Sequence, residues 1–186
     1  VDSAVAMAIE VIRDGAQTNF PVQVTIAVAF GCPFEGEVDL KQLLNTAQRL
    51  ADAGPVELAL ADTIGVAVPT QVRQAFTQLK EVLGELPLRA HFHDTRNTGI
   101  ANAYASLLAG VSVLDASIGG IGGCPFAPNA SGNIATEDLV YMLNRGGIEH
   151  GVELSDLLST ASWLQEVLAK PLPSMMLKAG VFPPVK

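Results

Sequence analysis

The sequence predicts an α/β fold, a (β/α)8 TIM barrel of which this chain carries roughly the last four βα units plus C-terminal helices. Three observations carry that prediction. Apolar, β-rich runs alternate four times with amphipathic helical runs, the runs beginning at residues 22, 56, 88 and 111. Such alternation implies parallel strands joined by right-handed crossovers, in a doubly wound sheet or a barrel. The residues with chemical potential, Cys32 and Glu35, Asp62 and Thr63, His91 and His93, and Cys124, all fall at or just beyond the C-terminal ends of the runs. In a barrel those ends converge on one site, whereas in an open sheet only the loops at the switch point do. Finally, 186 residues at 49% hydrophobic suit one buried core and show no shift in composition that would mark a second. A complete barrel needs eight strands and about 250 residues, so four units amount to a second half.

The elements follow in order. Val1 enters directly into a helical pattern, with Ala4, Ala8, Ile9 and Ile12 on one stripe and no initiator methionine, so the chain is expected to continue something that precedes it. The first strand is expected over Val22 to Ala29, where Val22, Val24, Ile26 and Val28 alternate with smaller or polar residues. After a loop over Phe30 to Val38, Asp39 and Gln42 occupy capping positions before a helix whose stripe is Leu40, Leu43, Leu44, Ala47 and Leu50. The next unit is a strand over Val56 to Ala61 and a helix with Val72, Ala75, Phe76, Leu79, Val82 and Leu83 on one face. The third is a strand over Leu88 to Phe92 and a helix carrying Ile100, Ala103, Tyr104, Leu107 and Leu108. A fourth strand, Val111 to Leu114, runs into a glycine-rich segment, and a helix begins near Thr136 with Glu137 and Asp138 at the positive end of its dipole. Residues 1–150 thus form the barrel portion, and 151–186 a helical extension with helices around Leu154 to Leu168 and Ser174 to Ala179.

A net charge of −8 disfavours a nucleic acid or an anionic membrane surface as the partner. No apolar run approaches the length of a spanning helix, and the start lacks the pattern of a signal peptide, so no membrane role is expected. Two cysteines, both in Gly-Cys-Pro-Phe, make no disulfide framework and are expected as free thiols in a reducing compartment.

The chemistry gathers in two places. His91 and His93 are two apart at the end of a strand, so both imidazoles address one point, and with Asp94-Thr95 following they suggest a metal. The alternative is a histidine that caps the last strand carbonyl. Asn133 adds a neutral oxygen, and a mixed nitrogen and oxygen shell suits a divalent ion of the magnesium or manganese kind better than a structural zinc. Ser117 to Asn133 is the second place. There Cys124 follows Gly122-Gly123, where a thiol can approach a ligand closely and act as proton donor or acceptor. Cys32, without the flanking glycine run, is supporting or structural. Asp62 is either a base or the cap of its own loop. A phosphate-cradling role for the glycines is disfavoured because no Gly-Lys-Ser/Thr follows.

These motifs resemble the 3-hydroxy-3-methylglutaryl-CoA lyases, a family of metal-dependent TIM-barrel lyases. The resemblance covers nearly the whole chain, from Gly31-Cys32-Pro33-Phe34-Glu35-Gly36 through Asp62-Thr63-Ile64-Gly65 and His91-Phe92-His93-Asp94-Thr95 to residues 117–138. It implies that His91, His93 and Asn133 ligate the metal, that Cys124 is the loop thiol serving as general acid or base, and that Asp62 and His91 assist proton transfer. The implied substrate is an acyl-CoA, cleaved to acetyl-CoA and acetoacetate by a retro-Claisen reaction. The implied setting is a homo-oligomer in a bacterial cytoplasm or, alternatively, a mitochondrial matrix. The family's fourth protein ligand and neighbouring arginine come from a first barrel strand that this sequence does not show, and Arg96-Asn97-Thr98 departs from the family's commonest form. Arg96 could meet an anionic group or stand solvated at a helix start. Within the same group the alternatives are a Claisen-type synthase or a 2-oxo acid aldolase. A catalytically silent half-barrel is the alternative of another class.

Overall fold

The computed structural model describes residues 1–123 and 131–183. Helix α1 (Asp2–Gln17) precedes strand β1 (Gln23–Ile26), a short ribbon of β2 (Gly31–Cys32) and β3 (Gly36–Glu37), and helix α2 (Leu40–Ala51). Strand β4 (Glu57–Asp62), helix α3 (Pro69–Leu83), strand β5 (Leu88–Phe92), helix α4 (Gly99–Leu108) and strand β6 (Val113–Asp115) complete the alternation. A single 3-10 turn over Ile118–Gly120, then α5 (Thr136–Arg145), α6 (Leu154–Leu168) and α7 (Met176–Ala179) follow. The main sheet is parallel with strands in the order β1, β4, β5, β6, so each βα unit lays its strand beside the one before, as in a barrel wall.

Alternation along each strand divides the sheet into two faces. Leu58 and Leu60 of β4 and Leu88, Ala90 and Phe92 of β5 point one way and meet Leu43, Ala47 and Leu50 of α2, Val72, Ala75, Phe76 and Leu79 of α3 and Ala103 of α4 in a single core. Full burial of a side chain such as Leu60, Phe76 or Phe92 contributes about 1.5–3 kcal/mol. The opposite face carries Thr25, Ala59, Arg89 and Val113 in one row and Ala61, His91 and Asp115 in the next. That second face holds nearly all the sheet's polar groups, so it has the character of a barrel interior.

Local signals explain most boundaries. Asp39 caps α2, its Oδ1 accepting the Gln42 N–H at 3.0 Å, and Pro69 opens α3 where a missing N–H does no harm. Several boundaries differ from the periodicity. Strand β1 stops at Ile26 because Val28 takes a left-handed φ of +49°, a conformation strained for a β-branched residue, and Thr63 Oγ1 accepts its N–H at 3.0 Å. The expected loop at 30–38 contains the β2–β3 antiparallel ribbon. Strand β6 begins at Val113 rather than Val111, because the Val111 N–H still closes the end of α4 on Ser106 O at 3.1 Å. Helix α6 packs on α5 and the 3-10 turn. Among the described residues, no helix is long and apolar enough to cross a membrane.

Candidate active site

The C-terminal ends of β4, β5 and β6 lie side by side and deliver Asp62, His91 and Asp115, with His93 one residue beyond β5. Residues 131–136 then return to the same edge. Asp94 N–H donates to Gly132 O at 3.0 Å, Ile134 N–H to Phe92 O at 3.2 Å and Ser117 N–H to Ile134 O at 3.1 Å, so the returning segment is wedged between the extensions of β5 and β6. His93 pairs with Asn133 in an isolated antiparallel bridge. Gly132 permits that wedge: its φ is +113°, and a Cβ there would stand 2.7 Å from Gly120 O and 2.8 Å from Gly122 O.

The His91 and His93 ring centroids are 5.3 Å apart, tilted by 57°. His93 is buried, and its Nδ1 has no hydrogen-bond partner among the described residues. Burial, and secondarily the charge of His91, push its pKa below the ordinary histidine value, so its imidazole is neutral and its lone pair free near pH 7. Asn133 spends its amide nitrogen on Ile121 O at 3.0 Å, while its Oδ1 is buried without a partner among the described residues. Buried polar groups are nearly always satisfied, so an orphaned histidine nitrogen and an orphaned amide oxygen on residues paired across a bridge fit a cation ligand set that includes His91. Among the described residues no group of three or more His, Cys, Asp or Glu side chains could hold a metal, and the shell these residues offer is two imidazoles and an amide.

Asp62 is 1% exposed, and its two oxygens accept the N–H groups of Val66 at 2.9 Å and Ala67 at 3.0 Å. Burial raises its pKa, and the backbone donors and Arg96 offset that only in part. The carboxyl group therefore caps the turn over residues 62–67. Arg96 donates through Nη1 to Ile64 O at 3.0 Å and Gly65 O at 2.9 Å, clamping that turn to the loop after β5, a role neither sequence alternative foresaw. Asp94 Oδ1 takes the Gly99 N–H at 2.8 Å at the start of α4, and burial raises its pKa. Cys32 is a half-buried free thiol. Cys124, the expected loop thiol, lies outside the described residues.

Several polar residues beneath and beside the site were given no part in it by the motif reading. Glu57, Arg89 and Asp115 form ion pairs on the inner face, with Arg89 Nε 2.7 Å from Glu57 Oε1 and Nη1 3.1 Å from Asp115 Oδ1. The Arg89–Glu57 contact is close but poorly aligned for a hydrogen bond. Their signal was the polar alternation Arg89, His91, His93 along β5 and just past its end. Glu137 is fully buried and receives the Gly119 N–H, 3.0 and 3.1 Å from its two oxygens. Asp138 accepts from Ser174 Oγ and from the N–H groups of Met175 and Met176, which ties the C-terminal segment to α5.

The chain is 45% identical over 179 residues to a (R)-citramalyl-CoA lyase of Chloroflexus aurantiacus, matching 96% of the chain and 55% of the relative. It is 44% identical over 172 residues to a hydroxymethylglutaryl-CoA lyase of Bacillus subtilis, matching 91% of the chain and 56% of the relative. The chain thus spans a little over half the length of these relatives. A solved HMG-CoA lyase from Acinetobacter baumannii, in complex with coenzyme A and 3-methylmalate, superposes with a TM-score of 0.89 at 36% identity over 96% of this chain and 58% of that one. The four βα units are accordingly part of a (β/α)8 barrel. The sequence model of the HMGL-like family matches residues 1–164, and the chain belongs to that family.

Proposed function

We propose that this chain forms the cation-binding wall of a carbon–carbon lyase that cleaves 3-hydroxy-3-methylglutaryl-CoA, or a related branched 3-hydroxyacyl-CoA, to acetyl-CoA and, from the former, acetoacetate. The observation that carries the reading is the pairing of His93 with Asn133, each with an orphaned buried atom, beside His91 at the strand ends of an HMGL-like chain. His91, His93 and Asn133 would hold a divalent ion, Mg²⁺ or Mn²⁺. When bound, such an ion polarises hydroxyl and carbonyl oxygens as a Lewis acid and offsets developing negative charge.

In a retro-Claisen cleavage the tertiary hydroxyl gives up its proton and a ketone forms there. The electron pair of the broken carbon–carbon bond passes to the acetyl-CoA fragment as an enolate, which takes a proton at carbon. Two described groups at the strand ends can accept the hydroxyl proton, His91 and Asp62. His91 gives one nitrogen to the ion and turns the other toward Asp115, which leaves Asp62 as the acceptor, each of its oxygens keeping a lone pair beside the Val66 or Ala67 bond that holds the 62–67 turn. Cys124 returns the proton to the enolate carbon, a role resting on its place between Gly122-Gly123 and Pro125. Arg96 and Gly132 keep the two loops in register around these groups.

The test is acetyl-CoA release by the full-length protein that contains this chain, with Mg²⁺ or Mn²⁺, from 3-hydroxy-3-methylglutaryl-CoA and from (R)-citramalyl-CoA. Turnover of at least one thioester, lowered by orders of magnitude in Cys124→Ala with bound metal unchanged, is expected. No turnover of either, or near-normal turnover of the variant, would overturn the reading.

A further inference from the structure

A row of charged side chains runs up the inner face of the sheet and ends on a histidine of the site. It begins at Glu57 on β4, crosses to Arg89 on β5, reaches Asp115 at the end of β6 and returns to His91 on β5. His91 and Asp115 are register partners, so their side chains leave the sheet side by side on the same face. Asp115 divides its two oxygens between two neighbours: Oδ1 is 3.1 Å from Arg89 Nη1, and Oδ2 is 3.5 Å from His91 Nδ1. The guanidinium fixes the plane of the carboxylate, and Glu57, nearly buried, holds the guanidinium from the far side at 2.7 Å.

We propose that Asp115 is a positioning residue that holds His91 in the Nδ1–H tautomer, with Arg89 and Glu57 as its buttress, so that Nε2 is left as the nitrogen free to take a cation. An ionised carboxylate is an acceptor only, and a ring lone pair turned toward it would face its negative charge. The proton therefore belongs on Nδ1. At 3.5 Å the contact is electrostatic, a little longer than a hydrogen bond, and fixing a ring tautomer through the nitrogen that does not bind is the usual task of a carboxylate behind a metal-ligating histidine. Partly exposed ion pairs of this kind contribute little to stability, so the arrangement is better accounted for by what it does to His91. The effect on cation binding rests on the function proposed above; the tautomer does not.

The experiment uses the full chain labelled with ¹⁵N-histidine. Its three histidines are resolved by long-range ¹H–¹⁵N spectra without metal, and His91 is assigned through His91→Gln. The proton of His91 is expected on Nδ1. In Asp115→Asn, the single amide oxygen is drawn to Arg89 and the NH₂ turns to the ring, so the proton is expected to move to Nε2. Arg89→Met, which loosens the carboxylate from one step away, is expected to give a mixture of tautomers and serves as the second variant should the asparagine protein not fold. A parent His91 protonated on Nε2, or folded variants with an unchanged tautomer, would overturn the proposal. Mn²⁺ titration followed by EPR should show affinity weakened about 10–100-fold in Asp115→Asn. Equal Mn²⁺ affinity in parent and variant would overturn the link to cation binding, whereas a parent that binds no Mn²⁺ would overturn the proposed function and leave the tautomer result to decide this inference.

Discussion

Replacing Gly132 with alanine tests how the returning segment delivers Asn133 to the two histidines. The residue has a φ of +113°, where a side chain is strained by about 1–3 kcal/mol. The added Cβ would stand 2.7 and 2.8 Å from the carbonyl oxygens of Gly120 and Gly122. Both neighbours are backbone, so the turn itself must shift, and crowding of this kind costs a further 1–3 kcal/mol or so. A loss of about 2–6 kcal/mol is therefore expected by urea unfolding, out of roughly 5–15 kcal/mol for a domain. Any shift also moves Asn133 away from His93, because the Asp94-to-Gly132 hydrogen bond and the bridge are adjacent. Gly123→Ala is the control, since its Cβ would meet none of the described residues within 4 Å, and it should fall within about 0.5 kcal/mol of the parent. A Gly132→Ala protein as stable as that control, with unaltered Mn²⁺ affinity, would refute the claim that close packing at Gly132 sets the site.

Two further outcomes follow from the buried titratable groups. Asp62→Ala leaves the Val66 and Ala67 N–H groups without their acceptor, and a loss of about 1–3 kcal/mol per stranded donor is expected in urea unfolding, reduced where water can reach Val66; an unchanged midpoint would contradict the capping role. His93 has a pKa below 6.5, so the folded state favours its neutral form. The stability this contributes is present above pH 6.5 and is lost as pH falls through the lower folded value, so the melting temperature of the parent should drop more between pH 7.5 and 5.5 than that of His93→Gln. Equal drops in the two proteins would remove His93 as the source.

The repeating order of strands and helices was legible because the core side of every strand is apolar at period two and each helix has an apolar stripe. Strand β5 shows this best: Leu88, Ala90 and Phe92 enter the core, while Arg89 and His91 line the other face, and its predicted and observed ends coincide. The placing of Asp62, His91 and His93 side by side was legible for a related reason, since strand ends converge in a barrel. What remained hidden depends on pairing in space. The union of Glu57, Arg89 and Asp115 requires the register of three strands, and Asp138 reaches residues 36 to 38 positions away. The early end of β1 was hidden by Val28, whose β-branched side chain argues for a strand while Thr63 holds its backbone in a turn. Asp62 stayed open between a base and the cap of its own loop, because the partners of a cap are backbone N–H groups that no residue type announces.

Equilibrium titration of the protein with Mn²⁺, followed by EPR, tests the central claim that His91, His93 and Asn133 form a cation site. One saturable site is expected in the parent, with affinity lowered at least tenfold in His93→Ala and in Asn133→Ala while both variants keep their helical circular dichroism. A parent without saturable binding, or folded variants that bind as the parent does, would contradict it.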